Sequence, residues 1–225
     1  MAGKLYIVST PIGNLNDISK RALEVLSDAN TIAAEDSRIT NRLLNHYNIK
    51  NKVISYNNFN ENTKFEYLLN LLRDNLNIAL VSNAGTPSIS DPGYRIVNGA
   101  IKESIEVISI PGASSVTSAL SISGIPSDKF YFEGFLPKKK GRQKRLENLR
   151  TLDCTIVIFE SPNRLVKTLF DIEEKLGNRV VSICKELTKI HESVTVGYIK
   201  DIKNSFSNSI KGEHIILIAK EGYCI

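Results

Sequence analysis

The sequence predicts an α/β protein of two domains: an N-terminal domain with a mostly parallel sheet and helices over residues 1–122, and a smaller mixed-sheet α/β domain over 123–225. Three observations carry this. Short apolar runs alternate with helix-spaced apolar stripes through the first half, the signature of successive βα units. Three loops rich in Gly, Pro and small hydroxyl residues follow strand-like runs, as do ligand loops at the carboxyl edge of open α/β sheets. Beyond Ser123-Gly124-Ile125-Pro126-Ser127-Asp128, a linker signal, strands crowd together and helices thin out.

In chain order, residues 4–9 are β-branched and aromatic and predict a strand that opens into Thr10-Pro11-Ile12-Gly13-Asn14-Leu15. Asp17 is the expected cap of a helix through Ala22, Leu23, Val25 and Leu26. Residues 31–34 predict a short strand delivering Glu35-Asp36-Ser37-Arg38, where the carboxylates suit either chemistry or a helix cap with a local ion pair. A helix follows over 38–47, then a weak strand over 53–56 and a polar loop over 57–61. Phe65, Leu68, Leu69 and Leu72 form an i, i+3, i+4, i+7 stripe on the next helix.

Residues 78–81 read as a buried strand opening into the longest loop, Ser82-Asn83-Ala84-Gly85-Thr86-Pro87-Ser88-Ile89-Ser90-Asp91-Pro92-Gly93. Small residues there let a ligand approach the backbone, although Gly, Pro, Ser and Asn also fill ordinary turns. A helix over 94–103 and a strand over 105–110 lead to the third such loop, Pro111-Gly112-Ala113-Ser114-Ser115, at a helix start whose free N–H groups suit an acceptor.

In the second half, residues 130–135 predict an alternating aromatic strand. Lys138-Lys139-Lys140-Gly141-Arg142-Gln143-Lys144-Arg145 follows, with basic residues placed against the preference of a helix start; an external phosphate and a solvated surface both account for it. Strands over 155–159, 180–184, 194–198 and 214–219, and helices over 164–176 and near 199–206, complete the expectation.

Composition bounds the function. The 225 residues carry a net charge of +5, which permits a polyanionic partner without demanding one. No apolar run approaches a membrane span, and the opening residues read straight into a strand. Cys154, Cys184 and Cys224 are widely spaced, against a disulfide scaffold or zinc site, so a reducing cytoplasm is expected. The three histidines lack metal spacing, and the dinucleotide, P-loop and Gly-x-Ser-x-Gly motifs are absent, so no metal is expected.

One set of motifs goes further. Thr10-Pro11-Ile12-Gly13-Asn14-Leu15-Asn16-Asp17-Ile18, Ala34-Glu35-Asp36-Ser37-Arg38 with Thr40 and Leu43-Leu44, the loop 82–93, and Pro111-Gly112 occur in order. Gly134-Phe135-Leu136-Pro137, Phe159-Glu160-Ser161-Pro162-Asn163-Arg164-Leu165 and Lys185-Glu186-Leu187-Thr188-Lys189 follow. Together they resemble the 16S rRNA (cytidine-2'-O)-methyltransferase I family of the tetrapyrrole-methylase-like group, over residues 4 to 219. The resemblance implies the two-domain tetrapyrrole-methylase-like fold, S-adenosylmethionine in the cleft between the domains, and a homodimer. It also implies methylation of a decoding-centre cytidine ribose in 16S rRNA or the small ribosomal subunit. The chain departs from the family at Asn83, usually Asp, and at Lys185, usually Arg.

On that reading, cofactor contacts are expected from Thr10, Pro11, Gly13, Asn83, Ala84, Gly85, Thr86, Ile89, Ser114, Ser115, Glu160 and Ser161. A base is needed for the ribose hydroxyl, with Asp36 first, then Glu35 and Asp91, against a cap or ion-pair role for each. Arg38 and Lys189 are expected to hold RNA phosphate, with Lys138, Lys139, Arg142 and Arg145 extending the track, against plain surface charge. The competing functions are methylation of a small tetrapyrrole and non-catalytic RNA binding.

Overall fold

The computed structural model describes residues 2–206 and 212–225. They form two compact units, Met1–Ser114 and Ser115–Ile225. The linker expected at 123–128 therefore lies inside the second unit, and the helix before it belongs there too.

The first unit holds five strands: β1 (Leu5–Val8), β2 (Thr31–Ala34), β3 (Val53–Ser55), β4 (Ile78–Val81) and β5 (Val107–Ile110). They pair in the order β3-β2-β4-β1-β5, and every pairing is parallel. Four helices connect them: α1 (Lys20–Asp28), α2 (Ser37–His46), α3 (Glu61–Arg73) and α4 (Tyr94–Lys102). The central strands bury both faces, which is why they read as continuous apolar runs. Along β4, Ile78 and Leu80 join Leu68, Leu72 and Ile96 in one core, whereas Ala79 and Val81 join Leu26, Ile32 and Leu44 in the other.

The predicted cap of α1 is corrected. Asp17 lies in a single 3-10 turn, Leu15–Asp17, and the cap is Ser19, whose Oγ accepts the Ala22 N–H at 3.1 Å. A chain that first makes that short turn reaches the helix two residues later, where another good capping side chain stands.

The second unit begins with α5 (Ser115–Ile122) and continues through β6 (Phe130–Phe135), α6 (Arg142–Arg150), β7 (Thr155–Glu160), α7 (Pro162–Leu176), β8 (Val180–Lys185), β9 (Ser193–Tyr198), α8 (Ile199–Ile202) and β10 (His214–Ile218). Its sheet runs β6-β7-β10-β8-β9, with β6–β7 parallel and the other pairs antiparallel. Ile156, Ile158, Val181, Ile183, Ile216 and Ile218 pack one face against Leu146 and Leu149 of α6 and Leu165, Leu169 and Ile172 of α7. β6 does not alternate as expected: its register shifts between Phe132 and Gly134, and Gly134 has φ +71°. A bulge at a glycine breaks the period of two.

No helix among the described residues is long and apolar enough to cross a membrane.

Candidate active site

Four adjacent strands of the parallel sheet, β2, β4, β1 and β5, end on one edge, and each opens into one of the loops singled out in the sequence. The loops are tied together directly. Thr10 and Gly85 form a two-way backbone bridge, each N–H donating to the other's carbonyl at 2.9 Å. The Ser9 and Thr86 hydroxyls lie 2.9 Å apart, and Thr86 Oγ1 also donates to the Ala113 carbonyl at 3.3 Å. Three loops distant in sequence thus share one hydrogen-bonded frame.

Glycine is required where this frame closes. Gly85 has φ +78°, and a Cβ there would stand 3.3 Å from Ile12 Cγ2. A Cβ on Gly112 would come within 3.0 Å of Ser9 Cβ. Thr10 is buried, Pro11 and Thr86 are half-buried, and Gly13, Ala84 and Ile89 are exposed.

Two carboxylates stand at the long loop, Glu35 beside it and Asp91 within it. Glu35, at the end of β2, accepts the Asn83 N–H on Oε2 at 3.0 Å. Asp91 is half-buried. Burial, and then the nearby charge of Glu35, push its carboxyl up to about 6, against a smaller opposing hydrogen bond with Ser82. A carboxyl titrating there is a competent base at neutral pH. Asp36 is different. It caps α2, its Oδ1 accepting the Arg38 N–H at 2.9 Å, and it holds the Arg38 guanidinium at 3.1 and 2.7 Å. Those bonds hold its carboxyl down to about 2, so it has little basicity. Arg38 itself projects with 85% of its side chain exposed.

Asn83 presents a polar atom to nothing in the chain: among the described residues its buried Oδ1 has no hydrogen-bond partner. A buried acceptor without a donor is expensive, so the loop suits a ligand that brings a donor. Ser114 closes the third loop.

The other expected residues lie in the second unit. Ser115 opens α5. Glu160 is buried at the end of β7; its Oε1 accepts the Ser161 N–H at 2.8 Å and faces Arg164 Nε at 3.3 Å, while Oε2 accepts from Thr168 at 2.6 Å. The basic run divides. Lys138, Lys139 and Lys140 are exposed. Arg145 is half-exposed and paired with Glu133 at 3.0 Å. Arg142 is corrected outright: it is only 4% exposed, and its guanidinium is held by Asp171 at 2.7 Å, Thr168 at 2.8 Å and the Pro137 carbonyl at 3.2 Å. Lys189 is half-buried between Glu186 at 3.0 Å and Glu213 at 3.1 Å, so it too presents no free charge. Lys185, the second departure, ends β8.

Sequence reasoning missed Asn57, Glu61 and Phe59. Asn57 Nδ2 reaches the Glu35 carbonyl at 3.5 Å, and Glu61 Oε1 accepts the Tyr56 hydroxyl at 2.9 Å and the Gly93 N–H at 3.4 Å. The available signal was a lone Phe in an asparagine-rich loop.

Comparison with known proteins identifies the family. Residues 4–203 match the family of tetrapyrrole (corrin/porphyrin) methylases. The chain is 47% identical to a ribosomal RNA small subunit methyltransferase I from Halalkalibacterium halodurans, across 98% of this chain and 77% of that protein. It is 47% identical to the same-named protein of Thermotoga maritima, across 91% and 92% of the two chains. Among solved structures, diphthine synthase superposes with a TM-score of 0.75 at 14% identity, covering 96% of this chain and 90% of that one. The uroporphyrin-III C-methyltransferase of Thermus thermophilus, complexed with S-adenosylhomocysteine, superposes at 0.65 with 16% identity, covering 97% and 98%. Matched along nearly its whole length by the family model and by these relatives, the chain that carries this loop edge belongs to the tetrapyrrole methylase family and, within it, to the ribosomal RNA small subunit methyltransferases I.

Proposed function

We propose that this methyltransferase carries a methyl group from S-adenosylmethionine to the 2'-hydroxyl of a decoding-centre cytidine in small-subunit rRNA, with Asp91 as the base. The observation that carries the assignment of the base is the contrast between two carboxyls on one sheet edge: Asp91 titrates near 6, Asp36 near 2. S-adenosylmethionine supplies a methyl on a positively charged sulfur. The residues fit it: the Gly85 and Gly112 turns keep the backbone open, and the Asn83 Oδ1 acceptor awaits a donor such as an ammonium or a hydroxyl. Thr10, Pro11, Gly13, Ala84, Thr86, Ile89 and Ser114 complete the proposed first-unit surface, with Ser115, Glu160 and Ser161 proposed from the second.

Asp91 accepts the ribose proton as the oxygen attacks. Glu35 fixes the Asn83 backbone and, by its charge, keeps Asp91 basic. Arg38, its fork steadied by Asp36, meets a phosphate. Lys138, Lys139 and Lys140 add attraction that needs no base sequence. Changing all three to Gln is expected to reduce the slope of log affinity against log salt by about 2, since single-stranded contacts contribute roughly 0.7 each. An unchanged slope returns the run to plain surface charge. A cytoplasmic homodimer belongs to the same proposal, and sedimentation velocity tests the dimer.

The deciding experiment offers labelled S-adenosylmethionine with small ribosomal subunits, naked 16S rRNA and a tetrapyrrole in parallel, then maps the labelled nucleotide. Label on the 2'-oxygen of a decoding-centre cytidine is expected. Label on the tetrapyrrole alone, or on a base instead of a ribose, sinks the assignment.

A further inference from the structure

Resting on the RNA reading above, the geometry points to a function for two aromatic side chains in the first unit: we infer that Phe59 and Tyr94 are stacking platforms for unpaired bases of the rRNA segment that carries the target nucleotide. Phe59 is 99% exposed and Tyr94 71%. Single exposed apolar residues are common, but these two differ in how they are held.

The turn bearing Phe59 is locked by side chains. Asn57 Oδ1 accepts the N–H groups of Phe59 at 3.0 Å and Asn60 at 3.2 Å. Asn60 Oδ1 accepts the Asn57 N–H at 2.8 Å, and Asn60 Nδ2 donates to the Ser55 carbonyl at 3.2 Å. The backbone is thus rigid while the ring stands entirely in water. Such a ring gives contact area at little entropic cost when a partner arrives.

Both residues are tied to the carboxylate pair. Asn57 reaches the Glu35 carbonyl, and β3, which leads into the turn, pairs in register with β2, which leads into Glu35 and Arg38. Tyr94 opens α4 three residues after Asp91. Glu61 joins the two segments: its Oε1 takes the Gly93 N–H, and its Oε2 lies 3.4 Å from Arg95 Nε. One frame therefore presents two aromatic rings, an exposed Arg38 and a raised carboxyl. Ring faces interleaved with cationic groups are what unpaired RNA offers partners for: bases stack and phosphates pair.

The test uses the full chain with small-subunit RNA as substrate. F59A and Y94A are each expected to lower kcat/KM for RNA by about ten- to a hundredfold, the range of base–aromatic stacking. S-adenosylmethionine affinity and Tm stay at wild-type values, because neither ring packs inside the protein. F59W restores most of the loss. Wild-type kcat/KM in F59A and Y94A, with the wild-type enzyme active on RNA, overturns the platform and leaves the RNA reading standing. A change of oligomeric state in F59A overturns it in favour of a contact with a second copy. Failure of the wild-type enzyme to label any RNA overturns the RNA reading itself.

Discussion

Asp91→Asn is expected to lower kcat by about a hundred- to ten-thousandfold, the contribution of a positioned general base, while S-adenosylmethionine affinity is retained. The pH profile is the sharper readout. Wild-type kcat/KM should rise with pH up to about 6, where the raised Asp91 carboxyl loses its proton, and then level off. The variant's residual rate should lack that limb. Stability moves the other way. A carboxyl raised from 3.8 to about 6 favours the fold in its protonated form, and that contribution is lost as pH rises through 6. At pH 7 the ionised Asp91 therefore works against the fold, so the variant's Tm should exceed wild type there and converge with it below pH 4. A more stable but nearly inactive variant of this kind is a stability–activity trade-off localised to one side chain. Asp36→Asn is the control: Asn caps α2 as well as Asp does, so turnover should change by less than tenfold. A hundredfold loss at Asp36 with wild-type turnover at Asp91 reverses the assignment.

Why the two acids separate was not visible along the chain. The strands β2 and β4 were legible because both faces of a parallel sheet are buried, and past Thr31 the runs Thr31–Ala34 and Ile78–Val81 are apolar throughout. The loops were legible because the sheet edge demands Gly and Pro where chains meet, as at Gly85. Asp36 sits two residues before Arg38 in sequence, so its cap and ion pair were open to a local reading. Asp91 owes its raised carboxyl to burial and to Glu35, which approaches only through the β2–β4 pairing. Glu61 likewise meets Gly93 only across the fold. Local chemistry was readable, and long-range electrostatics was not. The misplaced cap at Asp17 shows the limit even locally: two good capping residues stood two apart, and only the intervening turn chose Ser19.

Arg142 carries the same lesson in the opposite direction, and its removal is the second large effect. In the sequence it stands amid lysines and reads as part of a phosphate track. In the fold it enters α6 after Gly141, whose φ of +81° turns the chain inward, and its guanidinium is enclosed between α6 and α7. It belongs to a continuous chain of polar contacts that runs from Asp171 through Arg142 and Thr168 to Glu160, at the carboxyl end of β7, and on to Arg164 in α7. Arg142→Met keeps the stem's bulk but leaves Asp171, with 13% of its side chain exposed, facing a thioether. Removing one partner of a buried pair costs about 3–5 kcal/mol, which for a chain of this size lowers Tm by roughly 10 °C. Asp171→Leu in the same background should recover much of the loss, since the uncompensated charge, and not the missing bond, is the dominant penalty. Below its Tm the single variant should bind RNA with an unaltered salt slope, in contrast to the Lys138–Lys140 triple change. A flattened slope with wild-type Tm would put the guanidinium back on the surface. The run of basic residues thus divides by burial: the lysines face solvent, where charge is inexpensive, and the arginine, with a planar fork that three acceptors can satisfy at once, is the one the interior can hold.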